Sequence, residues 1–125
     1  ICSMHTPQDE ESKRLPYEAA ASGAVGLETL LPAALRLHHG AGLSLADLFK
    51  ALSLNPARRF NVPGGSLAEG AVADLILFDP NRPFVLDRFA LHSKSKNTPF
   101  DGARLQGMIL ASFVNGQCIY ERNAS

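Results

Sequence analysis

The hydrophobic pattern changes period once along this chain, and that change constrains the fold more than any other feature. Leu27, Leu30, Leu31, Ala34, Leu35 and Leu37 recur near i, i+3, i+4, i+7 and i+8, the spacing that lays one apolar stripe along an α-helix. From Pro63 onward the helical period is gone, and Gly64-Gly65, Gly70 and Pro80 punctuate a β-rich tail. Ala73-Asp74-Leu75-Ile76-Leu77-Phe78-Asp79 is short and almost continuously apolar, the pattern of a strand buried on both faces. Asn115-Gly116, the preferred pair for a type I′ turn, lies between Ala111-Ser112-Phe113-Val114 and Gln117-Cys118-Ile119-Tyr120, which predicts a hairpin. The order, helices and then strands, makes this an α/β chain.

Local signals refine the boundaries. Pro32 lacks an amide hydrogen and fits the first turn of a helix beginning near Thr29 and ended by Gly40 and Gly42. Ser44 is a natural N-cap for a second helix, with Asp47 as the capping-box acid and Leu45, Leu48, Phe49 and Leu52 as its buried face. Asn55 is expected to cap a further short helix over 56–60, with Pro56 in its first position. Residues 1–25 read as a strand remnant and loop, and Pro7 and Pro16 are expected to keep the charged run Asp9 to Arg14 from becoming helical. Phe84-Val85-Leu86 reads as a separate weak strand, and Ser93 to Gly102 as a long polar loop.

At 125 residues the chain is one domain at most. Twelve basic and twelve acidic residues cancel, which argues against a nucleic-acid partner. No apolar run approaches the ~20 residues of a membrane helix. Cys2 and Cys118 lack C-x-x-C spacing; they read as two buried free thiols in a reducing cytoplasm, with a disulfide or metal pair as the alternative. The chain opens on Ile1-Cys2, which reads as the cut end of a buried strand and suggests a longer gene product.

Ser3-Met4-His5-Thr6-Pro7-Gln8, Lys13-Arg14-Leu15-Pro16-Tyr17 and Gly23-Ala24-Val25-Gly26-Leu27-Glu28-Thr29 resemble three blocks of the class I dihydroorotases, members of the amidohydrolase superfamily: S-D-H-A-P-H, K-x-x-P-F and G-x-x-G-L-E-T. Leu52-Ser53-Leu54-Asn55-Pro56-Ala57-Arg58 and the stretch from Gly65 to Leu75 resemble the superfamily's L-T-x-N-P-A-x and G-x-L-x-x-G-x-x-A-D-L. Ser93-Lys94-Ser95-Lys96-Asn97-Thr98-Pro99-Phe100-Asp101-Gly102 resembles the dihydroorotase S-K-S-x-N-T-P-F-x-G. The blocks follow family order over nearly the whole chain. A hydantoinase-type relative is the third reading, which Asn97–Phe100 and Lys13–Tyr17 disfavour.

The resemblance implies a C-terminal fragment of a (β/α)8 amidohydrolase (TIM) barrel followed by strands of a small composite β-sandwich domain. Residues 1–62 would form the barrel end, with the strand 8 remnant, the active-site loop and the last helices. Residues 63–125 would form the C-terminal part of the β domain. Barrel active sites lie at the C-terminal ends of the strands, where residues 3–8 would sit. The family interconverts carbamoyl aspartate and dihydroorotate in pyrimidine biosynthesis, using zinc whose ligands are mostly on earlier strands. No metal ligand is therefore expected in this chain.

Met4 stands at the family's catalytic aspartate position and is not expected to function there, because a thioether has no titratable proton and is a soft, weak ligand. Asp9, the nearest carboxylate, reads as solvated rather than as its replacement. His5 reads either as a catalytic orienting group or ligand, or as a partly buried histidine holding its loop by a hydrogen bond. Gln8 replaces a substrate-binding histidine; its amide can donate to a carboxylate but carries no charge. Ser22 and Gly23 occupy a position where backbone groups contact substrate. Glu28 is expected to anchor the helix start, and His38-His39 to suit a helix C-terminus. His92 is given no role, and Lys94, Lys96 and Arg104 read as a solvated face.

Two functions remain open. One is a dihydroorotase-like cyclic amide hydrolase in which this chain alone is inactive. The other is a non-catalytic homologue acting as structural partner of aspartate transcarbamoylase. Self-association is expected in either case, because the helices at 27–39 and 45–53 would lack the barrel strands they normally cover.

Overall fold

The computed structural model describes residues 1–122. Helices α1 (Glu10–Lys13), α2 (Leu30–Ala41), α3 (Leu45–Phe49) and α4 (Asn55–Phe60) precede strands β1 (Leu75–Val85), β2 (Arg104–Val114) and β3 (Gln117–Glu121). The strands form one antiparallel sheet in the order β1-β2-β3. No helix among the described residues is long and apolar enough to cross a membrane.

The apolar stripe of α2 packs on the sheet. Leu31, Ala34, Leu35 and Leu48 form a buried cluster that Phe49, Leu52, Phe78 and Ile109 close from both sides. This core joins residues before and after Pro63. Beneath Leu35 lies Gly107 of β2, at φ +104, where an added Cβ would overlap Leu35 Cδ1. A glycine there lets helix and strand approach more closely than any side chain would allow. A second cluster, Val25, Leu86, Leu91 and Leu105, fastens the loop after residue 21 to the other end of the sheet.

Several local expectations hold. Ser44 caps α3, accepting from the Asp47 amide at 3.1 Å and donating to the Asp47 carboxylate at 2.7 Å. Asn115 (φ 50) and Gly116 (φ 76) turn β2 into β3, as a type I′ turn requires. Helix α2 begins at Leu30 with Pro32 in its first turn, and Gly42 ends it in the left-handed conformation at φ 69. Gly40 is inside the helix rather than at its end.

Others are corrected. Asp9 caps a single turn of helix at Glu10–Lys13 by accepting from the Ser12 amide at 2.8 Å, so the two prolines only bracket that turn. Asn55 does not cap: it has helical dihedrals, and α3 runs into α4 through a π-helical turn, Lys50–Leu54. Pro56 has no amide hydrogen and its ring crowds the carbonyl four residues back, and widening the preceding turn accommodates it without ending the helix. Phe84–Leu86 is not a separate strand. The Asp79 carboxylate accepts from the Asn81 and Arg82 amides at 2.9 and 3.2 Å, folding the chain into a bulge after which β1 resumes pairing at Pro83↔Gln106. Leu75, Ile76 and Leu77 are exposed rather than buried: β1 is an edge strand here, and the helical layer reaches only as far as Phe78. Cys2 and Cys118 are free, as expected, but both are exposed.

Candidate functional site

Three segments remote in sequence meet beside α2. His5 and Ala24 form a short parallel bridge, in which the Thr6 amide donates to Ala24 O at 2.9 Å. His5 Nδ1 accepts from the Gly26 and Leu27 amides at 3.1 and 3.3 Å. A neutral imidazole accepting at Nδ1 carries its proton on Nε2, so His5 ties its own loop to the entrance of α2. Gly23 sits at φ +127, and a Cβ there would overlap Thr6 O, so the two segments touch backbone to backbone.

The third segment is the loop after Leu91. The Asn97 side chain accepts from the Gln8 amide at 3.2 Å and donates from Nδ2 to Gly23 O at 3.0 Å, while Asn97 O accepts from the Val25 amide at 2.8 Å. The Ser95 hydroxyl donates to Gln8 O. Gln8 Nε2 donates to Ser22 O at 3.1 Å, and Lys13 Nζ donates to Ala21 O at 2.7 Å and Gly23 O at 3.3 Å.

These contacts frame an open cleft of about 780 Å³ whose lining includes Cys2, Met4, Ser22, Gly23, Thr29 and Phe100. Of the residues singled out from the sequence, Met4, Ser22 and Gly23 share this cleft. His5 and Gln8 do not line it; Gln8 faces a second hollow of about 620 Å³ with Asp9, Lys94 and Lys96. Met4 is 76% exposed and holds a left-handed φ of 49. Cys2 Sγ donates to Met4 Sδ at 3.4 Å.

Among the described residues no three His, Cys, Asp or Glu side chains come together as a metal site. Met4 offers a soft thioether, and His5 Nδ1 is engaged by the Gly26 and Leu27 amides. This donor set does not fit zinc.

Asp9 is fully exposed, and its carboxyl is held below the usual carboxylate range, mainly by the Ser12 amide and then the Ser12 hydroxyl. A carboxylate so committed is a poor proton acceptor near neutral pH. The lowered value belongs to the folded state, so the cap contributes fully above the unfolded value and is lost as the pH falls below about 4. The protection of the Ser12 amide, its exchange rate relative to the intrinsic rate at each pH, is expected to fall over that range in the wild type and not in Asp9→Asn, which caps without titrating. Equal pH profiles in the two proteins would contradict this.

Sequence reasoning passes over Asn97 and Ser95 as site residues, although both lie within the block Ser93 to Gly102 that resembles a dihydroorotase segment. Glu28 does not anchor the helix start. Its two carboxylate oxygens accept from the His92 and Ser93 amides, each at 3.0 Å, so it anchors the third loop. Thr29, 1% exposed, donates to Gly26 O at 3.3 Å and fastens the start of α2 instead. His38 and His39 do lie in the last turn of α2, where their rings meet the carbonyls of Leu43 and Pro80.

The model of the amidohydrolase family matches residues 14–119. The chain belongs to that family. Its sequence likeness is to dihydroorotases, as the motifs suggest: this amidohydrolase chain is 42% identical to the dihydroorotase of Anaplasma phagocytophilum over 120 residues, covering 96% of itself and 27% of that protein. It is 40% identical to the dihydroorotase of a Wolbachia of Drosophila simulans over 124 residues, 99% of itself and 28% of that protein. The chain thus spans about a quarter of the length of the curated relatives it matches. Among solved structures it resembles the L-hydantoinase (dihydropyrimidinase) of Arthrobacter aurescens, with a TM-score of 0.77 and 34% identity over 83% of this chain and 24% of that one. The dihydropyrimidinase of Brevibacillus agri gives a TM-score of 0.83 at 22% identity over 94% of this chain and 27% of that one, a likeness of fold. The α/β expectation is borne out as an α/β amidohydrolase segment.

Proposed function

We propose that this chain is the C-terminal part of a dihydroorotase-like cyclic amide hydrolase that interconverts dihydroorotate and N-carbamoyl-aspartate. In this reading residues 1–62 close the end of a (β/α)8 barrel, and residues 63–125 complete a small composite β domain. The observation that carries it is the gathering of Met4, Ser22 and Gly23 on one cleft by a loop whose own sequence is of dihydroorotase type. Ser22 and Gly23 bring backbone to the ring of the substrate. Gln8 faces the neighbouring hollow and supports the cleft wall by donating from Nε2 to Ser22 O. Any zinc belongs to residues outside these 125.

One observation favours a second reading, a non-catalytic homologue that supports aspartate transcarbamoylase. The aspartate position holds Met4, whose side chain neither coordinates a hard cation nor moves a proton. The two readings separate on the complete gene product that contains this chain. Dihydroorotate hydrolysis with bound zinc is expected, whereas this chain alone is expected to show none. A complete product with neither metal nor turnover would sink the hydrolase reading and call for a binding assay against aspartate transcarbamoylase. Self-association of the isolated chain is also proposed, now through exposed Leu75, Leu77 and Ile119 on the sheet together with Leu27 and Leu37. Sedimentation as a folded monomer would refute it.

A further inference from the structure

We propose that Asn97 is a positioning residue of this cleft: it fastens the Gln8 loop and the Ser22–Val25 segment, already bonded to each other, to the loop after Leu91. Its role in turnover rests on the hydrolase reading above; its role in holding the loops does not.

Asn97 Oδ1 has two acceptor sites and Nδ2 two donors on one planar group. Here Oδ1 accepts from the Gln8 amide and Nδ2 donates to Gly23 O, while the Ser95 hydroxyl has one hydrogen to share between Gln8 O and Oδ1. The Asn97 carbonyl adds a bond from the Val25 amide. These contacts reach back across 89 and 74 positions of sequence. Only a side chain with acceptor and donor on adjacent atoms can hold both loops at once. Aspartate keeps the acceptor and loses the donor; alanine loses both.

The clasp is anchored independently. Glu28, just before α2, accepts from the His92 and Ser93 amides, and Lys96 Nζ donates to Leu91 O at 2.7 Å. Asn97 therefore projects from a loop whose base is fixed to the helix flanking the cleft. It does not itself line that cleft and acts on it only through Gly23 and Gln8. Gly23 has no rotamer of its own, so the direction in which its backbone faces the cleft is set by what holds its carbonyl, Asn97 Nδ2 at 3.0 Å and, more distantly, Lys13 Nζ at 3.3 Å.

The test uses amide hydrogen exchange in this chain and steady-state kinetics in the complete gene product. In Asn97→Ala the Gln8 amide is expected to exchange about fivefold faster, the effect of losing one net hydrogen bond. In Asn97→Asp it is expected to stay near the wild-type rate, because the acceptor is retained. In both variants KM for dihydroorotate is expected to rise about tenfold with kcat within about threefold, because an interaction that orients substrate is lost while the reacting groups stay in place. Unchanged Gln8 exchange in Asn97→Ala, or equal acceleration in both variants, would overturn the proposal. A fall in kcat with KM unchanged would overturn its positioning role. If Asn97→Ala does not fold, the nearly isosteric Asn97→Asp decides alone, by a raised KM with Gln8 still protected. If the wild-type product shows no turnover, the hydrolase reading fails, and the exchange data still decide whether Asn97 holds the loops.

Discussion

Leu35→Ala is expected to lower the unfolding free energy of this chain by about 3–5 kcal/mol, at the upper end for leucine truncation. Leu35 is completely buried, packed with Leu31, Ala34 and Leu48 and flanked by Phe78 and Ile109. Below it lies backbone rather than side chain, because a Cβ at Gly107 would overlap Leu35 Cδ1. A cavity opened at Leu35 is therefore bounded on one side by a hydrogen-bonded strand, which cannot relax into it as a side chain could. Small domains hold only about 5–15 kcal/mol in total, so one substitution removes much of the margin. Denaturant unfolding followed by circular dichroism measures the loss, and a value below about 1 kcal/mol would mean that α2 does not rest on β2 as described. Gly107→Ala adds a check. In the wild type it meets both the Leu35 side chain and a φ of +104; once that side chain is truncated, only the backbone strain remains. Its cost is expected to be smaller in the Leu35→Ala background, the non-additivity of groups in contact.

The elements legible in the sequence are those specified by neighbouring residues. Ser44 with Asp47 and Asn115 with Gly116 each carry a complete local instruction, and the structure follows both. The α2 stripe is visible for the same reason. The misread elements depend on partners distant in sequence or on competition between signals. Asp9 outweighs the brackets of Pro7 and Pro16 because an N-cap needs only an oxygen facing two free amides. The π turn before Pro56 is hidden because proline usually signals a helix start or break, and here a wider turn absorbs it. Leu75–Leu77 read as doubly covered, but coverage depends on what packs above and below, and composition cannot report that. At the site, the motif locates Met4, Ser22 and Gly23 together, since they follow one another within a short stretch of chain. Asn97 escapes a sequence reading because its importance lies in bonds reaching back to Gln8 and Gly23, and a polar residue in a turn-rich loop gives no local sign of them.

Met4→Asp in the complete gene product is expected to raise dihydroorotate hydrolysis by about 10²–10⁴-fold, the usual contribution of one positioned general base. This expectation rests on the hydrolase reading. Met4 holds φ 49, in the left-handed region that aspartate and asparagine tolerate better than longer side chains. The backbone is thus already shaped for the shorter residue. The position is on the cleft wall and 76% exposed, so the exchange removes no core packing. It also leaves the His5 bonds to Gly26 and Leu27 in place, because they arise from the neighbouring residue. The melting temperature is therefore expected to hold or rise slightly, which separates a failure of chemistry from a failure of folding. A folded Met4→Asp protein with no gain in rate would show that a carboxylate here is not enough. The site would then lack more than its aspartate, and the support of aspartate transcarbamoylase would become the better account of why the loop is still built.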